Sequence, residues 1–423
     1  MTWKNNRQLD LRERAQKVIP GGMYGHESTK LLPSDFPQFF DRAEGAHIWD
    51  ADGNEYVDFM CAYGPSLLGY GFKPVEEAAA SQRARGDTLT GPSDVMIDLA
   101  EQFVAQISHA DWAMFCKNGT DATSMAMVIA RAYRDRKTIL CAKGAYHGAA
   151  PWCTPRMAGI TPGDRANIVY FEYNDADSLA DAFKQHEGDV AGVFATPFRH
   201  EVFADQYVVD ADYAQLARRL CDEADALLIV DEVRAGFRIA RDCSWESLGV
   251  RPDLSSWGKC IANGYPISAL LGSEKARTAA STVYVTGSFW FQAVPMAAAL
   301  KTLEVVRTTD YLEQIQRSGQ RLRDGLDGLA KAHGFGLRQT GPATMPQILF
   351  EEDRDFRIGY GWVTECMKRG VIFSPYHNMF LSTGHGDAEI DFSLEVADEA
   401  FRAVRARNAE LEPHPVLVAL LGL

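Results

Sequence analysis

Between about residues 75 and 305, short apolar runs alternate with amphipathic helical patterns, and this alternation restricts the possible folds more than any other feature. The runs fall at 113–116, 138–141, 190–195, 227–230 and 267–271, with helical patterns such as 122–134 and 211–224 between them. Runs this apolar suit strands buried on both faces, and a helix between two strands makes a crossover instead of a hairpin. The pattern therefore predicts an α/β fold, a largely parallel sheet sandwiched by helices. In such sheets ligands bind at the carboxyl ends of the strands.

The flanks read differently. Residues 9–18 suggest a short helix stopped by Pro20-Gly21-Gly22, and 47–50 with 55–59 flank Ala51-Asp52-Gly53-Asn54, a hairpin signal. After about residue 310 come a helix at 311–332, mixed strands, and helices near 359–369 and 387–408. The expected organisation is a large α/β domain over 75–308 and a smaller α+β lobe over 309–423, with 1–74 packing on that lobe. A net charge of −14 argues against a nucleic-acid partner, though it leaves room for a small anion in a local positive site. The eight cysteines contain no Cys-x-x-Cys pair and read as reduced core residues. The polar start, Met1-Thr2-Trp3-Lys4-Asn5-Asn6-Arg7, lacks a signal-peptide core, and no apolar stretch is long enough to span a bilayer. A soluble cytoplasmic protein without membrane association is expected, and the histidines lack zinc-ligand spacing, so no metal is expected.

Lys259 stands alone in Trp257-Gly258-Lys259-Cys260-Ile261-Ala262-Asn263-Gly264, with no further charge until Glu274. A lysine in such surroundings loses hydration, its ammonium is disfavoured, and the neutral amine becomes a Schiff-base nucleophile. By itself the dipeptide also reads as a surface turn. Cys116-Lys117-Asn118-Gly119-Thr120-Asp121, between a strand and a helix, reads either as an ordinary capped turn or as a phosphate site made from helix N–H groups. Asp231-Glu232 follows the run 227–230 and is either a solvated acidic turn or a carboxylate that holds a pyridine nitrogen protonated. Ala145-Tyr146-His147-Gly148 offers an aromatic ring for stacking on a heterocycle, or simple core packing.

Together these segments resemble the fold-type I pyridoxal phosphate (PLP) enzymes, and among them the class III aminotransferases, nearest the glutamate-1-semialdehyde aminomutase branch. The resemblance covers nearly the whole chain, through Trp49-Asp50-Ala51-Asp52-Gly53-Asn54-Glu55-Tyr56, Gly119-Thr120-Asp121-Ala122-Thr123, Tyr146-His147-Gly148, the block from Asp231 to Arg238 and the block from Pro252 to Pro266. It implies a mostly parallel sheet of seven strands and PLP held covalently on Lys259, which also moves the proton between Cα and C4′. Asp231 would pair with the pyridine nitrogen, Val233 and Tyr146 would flank the ring with His147 nearby, and Asn118, Gly119 and Thr120 would bind phosphate. A homodimer is implied as well, with Ser288 in place of the family's threonine as a phosphate ligand given to the neighbouring subunit.

The substrate side departs from the family. The aminomutase loop Gly-Gly-Val-Asn-Ser-Pro-Val-Arg reads Gly21-Gly22-Met23-Tyr24-Gly25-His26-Glu27-Ser28, so a serine stands where an arginine would grip a carboxylate. Tyr63 aligns with a pocket-lining aromatic, and Tyr24 and His26 are candidates for the same wall. Arg199, and after it Arg234, is the candidate for a replacement grip. These features predict an ω-type aminotransferase that moves an amino group from a primary amine or amino acid to a keto acid or ketone by a ping-pong route. The alternative is a glutamate-1-semialdehyde-like aminomutase or another PLP-dependent isomerase. A nucleotide-dependent oxidoreductase or ATPase is not supported, because no Gly-x-Gly-x-x-Gly follows a strand and no P-loop is present.

Overall fold

The computed structural model describes residues 3–422, which divide into two compact units. The second unit comprises residues 73–200 and 206–312. Among the described residues its sheet has seven strands, β1 (Trp112–Cys116), β2 (Thr138–Ala142), β3 (Ile168–Phe171), β4 (Val190–Ala195), β5 (Leu227–Asp231), β6 (Leu254–Trp257) and β7 (Ser268–Gly272). Their order is β1-β7-β6-β5-β4-β2-β3. All neighbours are parallel except at β7, which runs antiparallel to both β6 and β1. Two of these strands, β3 and β6, were not expected from the apolar runs. Strand β3 reads Ile-Val-Tyr-Phe with an exposed Tyr170, and β6 is masked by the serines of Leu-Ser-Ser-Trp, which are nevertheless fully buried.

Burial explains the strand choice. Every residue of β2, β4, β5, β6 and β7 is buried, as expected for strands covered on both faces. The helix Gly119–Arg134 covers the middle of the sheet with Ala122, Ala126 and Ala130, one helical repeat apart and fully buried. Small residues let it lie close. A Cβ on Gly192 in β4 would stand 2.8 Å from the Leu227 carbonyl oxygen and 3.3 Å from the Ala130 methyl, so only glycine fits there.

The first unit comprises residues up to 72, 201–205 and 313–423. Phe40–Glu44, His47–Asp50 and Glu55–Asp58 form an antiparallel meander, and Val371–Ile372 adds a parallel fourth strand beside Glu55–Asp58. The expected hairpin is present, closed by Asp50. Its carboxylate accepts hydrogen bonds from the Asp52 and Asn54 backbone N–H groups (both 2.9 Å) and from the Tyr56 hydroxyl (2.7 Å). Asp52 in turn accepts from the Arg7 and Gln8 N–H groups, satisfying the start of the helix Asn6–Val18, which begins earlier than the expected residue 9. Trp362 stacks between Phe373 and Phe401 at the core of this unit. Among the described residues no helix is long and apolar enough to cross a membrane.

Candidate active site

The loops that follow β1, β2, β5 and β6 meet at the carboxyl ends of their strands. After β6, Gly258 is extended and Lys259 opens a single 3-10 turn, Lys259–Ala262, with a left-handed backbone at φ +49°. A non-glycine residue there is strained by about 1–3 kcal/mol, which persists only where the surroundings impose it. Those surroundings are tight, since a Cβ on Gly258 would fall 2.6 Å from Ser268 Oγ. Burial, reinforced by the nearby cations of Arg234 and Arg238, pushes the Lys259 amine down to about 7. At neutral pH a large fraction is therefore the nucleophilic free base.

Asp231 ends β5, level with Ser256 of the neighbouring β6. It is 7% exposed, and its carboxylate accepts from the Val233 N–H (3.1 Å) and from His147 Nδ1 (2.8 Å). His147 is itself buried, ring to ring with Trp152 and Phe194, and its Nε2 has no partner among the described residues. The next residue, Glu232, serves the loop. Its carboxylate accepts from the Ser244 N–H and hydroxyl (both 2.6 Å), and burial pushes it up to about 7. Sequence reading treated Glu232 only as part of an acidic turn, because Ser244 lies twelve positions away with no periodic link to it.

At the start of the helix Gly119–Arg134, the Asp121 carboxylate accepts from the Lys117 and Asn118 N–H groups (3.2 and 3.1 Å). Helix geometry leaves the Gly119 and Thr120 N–H groups without intrahelical partners, at the positive end of the dipole. A Cβ on Gly119 would meet Val233 Cγ1 at 2.6 Å, so Val233 lies hard against this turn. It also lies near Gly258, whose Cβ would be 3.4 Å from the same methyl. Thr120 Oγ1 accepts from the Ala149 N–H (3.2 Å), and Gly148, at φ +124°, allows that approach. Burial raises the Tyr146 hydroxyl, against the opposing influence of the Arg234 cation. The structure thus collects Lys259, Asp231, His147, Tyr146, Val233, Gly119 and Thr120 in one unit, although they span 141 positions between Gly119 and Lys259 (259 − 119 + 1).

This donor set fits a phosphorylated pyridine aldehyde. Two open helix N–H groups suit a dianion, a buried carboxylate backed by an imidazole suits a pyridinium N–H, and a depressed amine suits the aldehyde carbon. With a seven-stranded, mostly parallel sheet, they define a fold-type I PLP enzyme. The chain belongs to the class-III aminotransferases, whose family model matches residues 33–383. It is similar to the aminopentol aminotransferase of Sphingopyxis macrogoltabida, 64% identical over 416 residues, 98% of this chain and 99% of the relative. It is similar as well to a solved structure, the PLP internal aldimine form of the FumI protein of Sphingopyxis sp. MTA144. The two are 64% identical with a TM-score of 0.96, over 97% of this chain and 99% of that one. A glutamate-1-semialdehyde 2,1-aminomutase of Acetivibrio thermocellus is 31% identical over 411 residues, 90% of this chain and 95% of its own. The protein is a PLP-dependent class-III aminotransferase, and the aminomutases stand at lower identity.

The residues expected on the substrate side fall in both units. Arg199 belongs to the second unit. Its guanidinium donates to the Lys143 carbonyl oxygen (3.3 Å) and lies over the Tyr207 ring at 4.9 Å, so it is already engaged. Tyr63 and Tyr24 belong to the first unit. Tyr63 lines an apolar cavity there, donating its hydroxyl to the His26 carbonyl oxygen (2.8 Å) and packing its ring against His26 and His377. Tyr24 does not line that cavity and is 72% exposed, whereas His26, itself exposed in the turn Gly25–Glu27, borders it. Ser288 is exposed, in a segment where Tyr284, Phe289 and Phe291 also face outward.

Proposed function

We propose that this aminotransferase takes its amino group from a primary amine whose nitrogen is remote from any carboxylate, and passes it to a keto acid or ketone. The observation that carries the reading is Ser28. The loop Gly21–Ser28 has no cation where the aminomutases place an arginine, and an unpaired carboxylate in a dry pocket is costly. The name of the relative at 64% identity, an aminopentol aminotransferase, points the same way, since it describes an amine rich in hydroxyls.

In this reading Lys259 is the covalent anchor of the cofactor and the group that carries the substrate proton. PLP, when bound, supplies the electron sink for that proton transfer. Asp231, oriented by His147 and the Val233 N–H, holds the ring nitrogen protonated. Val233 and Tyr146 flank the ring, Asn118, Gly119 and Thr120 receive the phosphate, and Tyr63 contacts the substrate. Arg234, half-buried and close enough to lower the Lys259 amine, is the better candidate of the two cations for an acceptor carboxylate, since Arg199 is held by Lys143 and Tyr207. The working unit is a cytoplasmic homodimer in which Ser288 serves the neighbouring subunit's phosphate site.

The test is a rate comparison of an aryl-alkyl amine, an amino polyol, a β-amino acid and glutamate 1-semialdehyde, each with pyruvate or 2-oxoglutarate, in wild type, Arg199→Ala and Arg234→Gln. The amines lacking a carboxylate should be the faster donors, Arg199→Ala should leave their rates within about threefold, and Arg234→Gln should raise the KM of the keto acid. Isomerisation of the semialdehyde as the preferred reaction, without an external acceptor, would overturn the proposal in favour of the aminomutase.

A further inference from the structure

Between the helix Val95–Gln106 and strand β1, His109 is a buried polar ring that the site as described does not use. It is 6% exposed, and its Nε2 shares a hydrogen bond with Ser255 Oγ (2.8 Å). Its Nδ1 is buried too and reaches nothing outside its own residue. Burial pushes the ring down to about 4, against the pull of Asp242, Asp253 and Glu246, so the imidazole is neutral near pH 7. A buried ring with half its hydrogen-bonding capacity unmet is costly, and a leucine would fill the space without that cost. What histidine adds over leucine is the bond to Ser255.

Ser255 carries that bond towards the Lys259 turn. It lies in β6, is fully buried, and its Oγ also accepts from Trp257 Nε1 (2.7 Å). Trp257, likewise fully buried, ends β6, and Gly258 and Lys259 follow it directly. Its ring packs on the loop after β5, where a Cβ on Gly236 would fall 2.6 Å from Cζ3 and 2.7 Å from Cε3. Phe237 and Phe103 close on the same ring, with centroids 4.9 and 5.4 Å away. Just past Lys259, the Cys260 thiol donates to the Gly236 carbonyl oxygen (3.1 Å). Trp257 and Cys260 therefore grip the loop at Gly236, between Arg234 and Arg238, the two cations that lower the Lys259 amine. The His109 segment is tied to the same loop further on. The Ser108 N–H donates to Asp242 (3.0 Å), and Gln106 Nε2 donates to the Arg241 carbonyl oxygen (2.7 Å). An indole whose N–H is met by such a chain is held in one orientation.

We propose that His109 is a positioning residue for the aminotransferase reaction, acting through Ser255 and Trp257 to hold the Lys259 turn against the loop that carries Arg234 and Arg238. The inference rests on the reading of Lys259 as the cofactor's anchor.

The experiment uses the full chain, as holoenzyme for turnover and as cofactor-free protein for covalent capture of PLP. His109→Leu and Ser255→Ala break the chain at successive links, while His109→Gln keeps an amide that can bond from the place of Nε2. In the two broken variants the pH midpoint of capture should rise from about 7 by about one unit, as the cations draw away from the amine. For an amine donor, kcat should fall about fivefold with KM within about twofold, the scale of one hydrogen bond. Amide hydrogen exchange across 232–238 and 257–262 should quicken in both. His109→Gln should restore all three readouts. A lowered melting temperature with wild-type midpoint, kcat and exchange would overturn the inference and leave His109 a packing residue. Ser255→Ala decides this if His109→Leu does not fold. Covalent capture that persists in Lys259→Met would instead overturn the anchor reading, and the exchange arm, which needs no lysine chemistry, would still decide whether His109 holds the turn.

Discussion

Lys259 shows how one residue acquires its chemistry. Its side chain is ordinary; its environment is not. Burial and the Arg234 and Arg238 cations lower the amine from 10.5 to about 7, outweighing the pull of Asp231. Covalent capture of PLP by the cofactor-free enzyme should therefore rise with pH through about 7 and level off, where an unperturbed lysine would keep climbing towards 10.5. Stopped-flow absorbance checks this, and a midpoint above 9 would contradict it. The same shift has a consequence for stability. Between about 7 and 10.5 the unfolded amine binds a proton that the folded one does not, so cofactor-free stability rises with pH across that window. The penalty is fully present below 7. Lys259→Met should lose both the capture and this pH dependence, with the fold retained.

Among elements, the helix Gly119–Arg134 carries the most consequence. Its buried alanines seat it on the sheet, its first turn presents the Gly119 and Thr120 N–H groups, and Asp121 satisfies the groups just before them. Gly119 is the tight point, since an added Cβ would lie 2.6 and 3.0 Å from the two Val233 methyls. Val233 is β-branched and stiff, so it cannot swing aside cheaply. Gly119→Ala raises helix propensity but overpacks the turn, at a cost of about 1–3 kcal/mol. The expected result is at least tenfold weaker PLP affinity in titration of the cofactor-free protein, with unchanged circular dichroism. Wild-type affinity would count against a role for this turn in holding the cofactor's phosphate.

For the whole molecule, the segment 283–291 has two faces. Val283, Val285 and Trp290 pack on the core of the second unit, while Tyr284 (91% exposed), Phe289 (58%) and Phe291 (39%) point outward. These exposed aromatics, within nine residues, are the proposed contact surface. A second copy of the chain is the proposed partner, with a large obligate interface. Sedimentation should give twice the 46.8 kDa chain mass. Phe289→Asp should shift the protein towards monomer and weaken PLP binding together, because in the proposed dimer Ser288 would then be lost to its neighbour. A fully active monomer would refute the arrangement.

Much of this was legible without coordinates. The alternation of apolar runs and helical patterns pointed to a largely parallel α/β sheet, and a lone lysine in an apolar stretch pointed to the proposed chemistry. Both are local signals, carried by periodicity and by burial cost, which is why they survive in one dimension. The strand boundaries came within one or two residues, but β3 and β6 were hidden, since an exposed tyrosine and paired serines break the apolar pattern even in strands. Tertiary structure alone decided the rest. Asp231 meets His147 across 84 positions, and Glu232 meets Ser244 where no period joins them. Arg199 is drawn onto Tyr207 and the Lys143 carbonyl, and Tyr24 is turned outward while His26 borders the Tyr63 cavity. The Tyr63 cavity brings residues 32–48 to 372–377. Such contacts depend on strand order and on which loops the packed sheet leaves side by side, and these follow from the sum of many weak burials across the chain rather than from any pattern within a single segment.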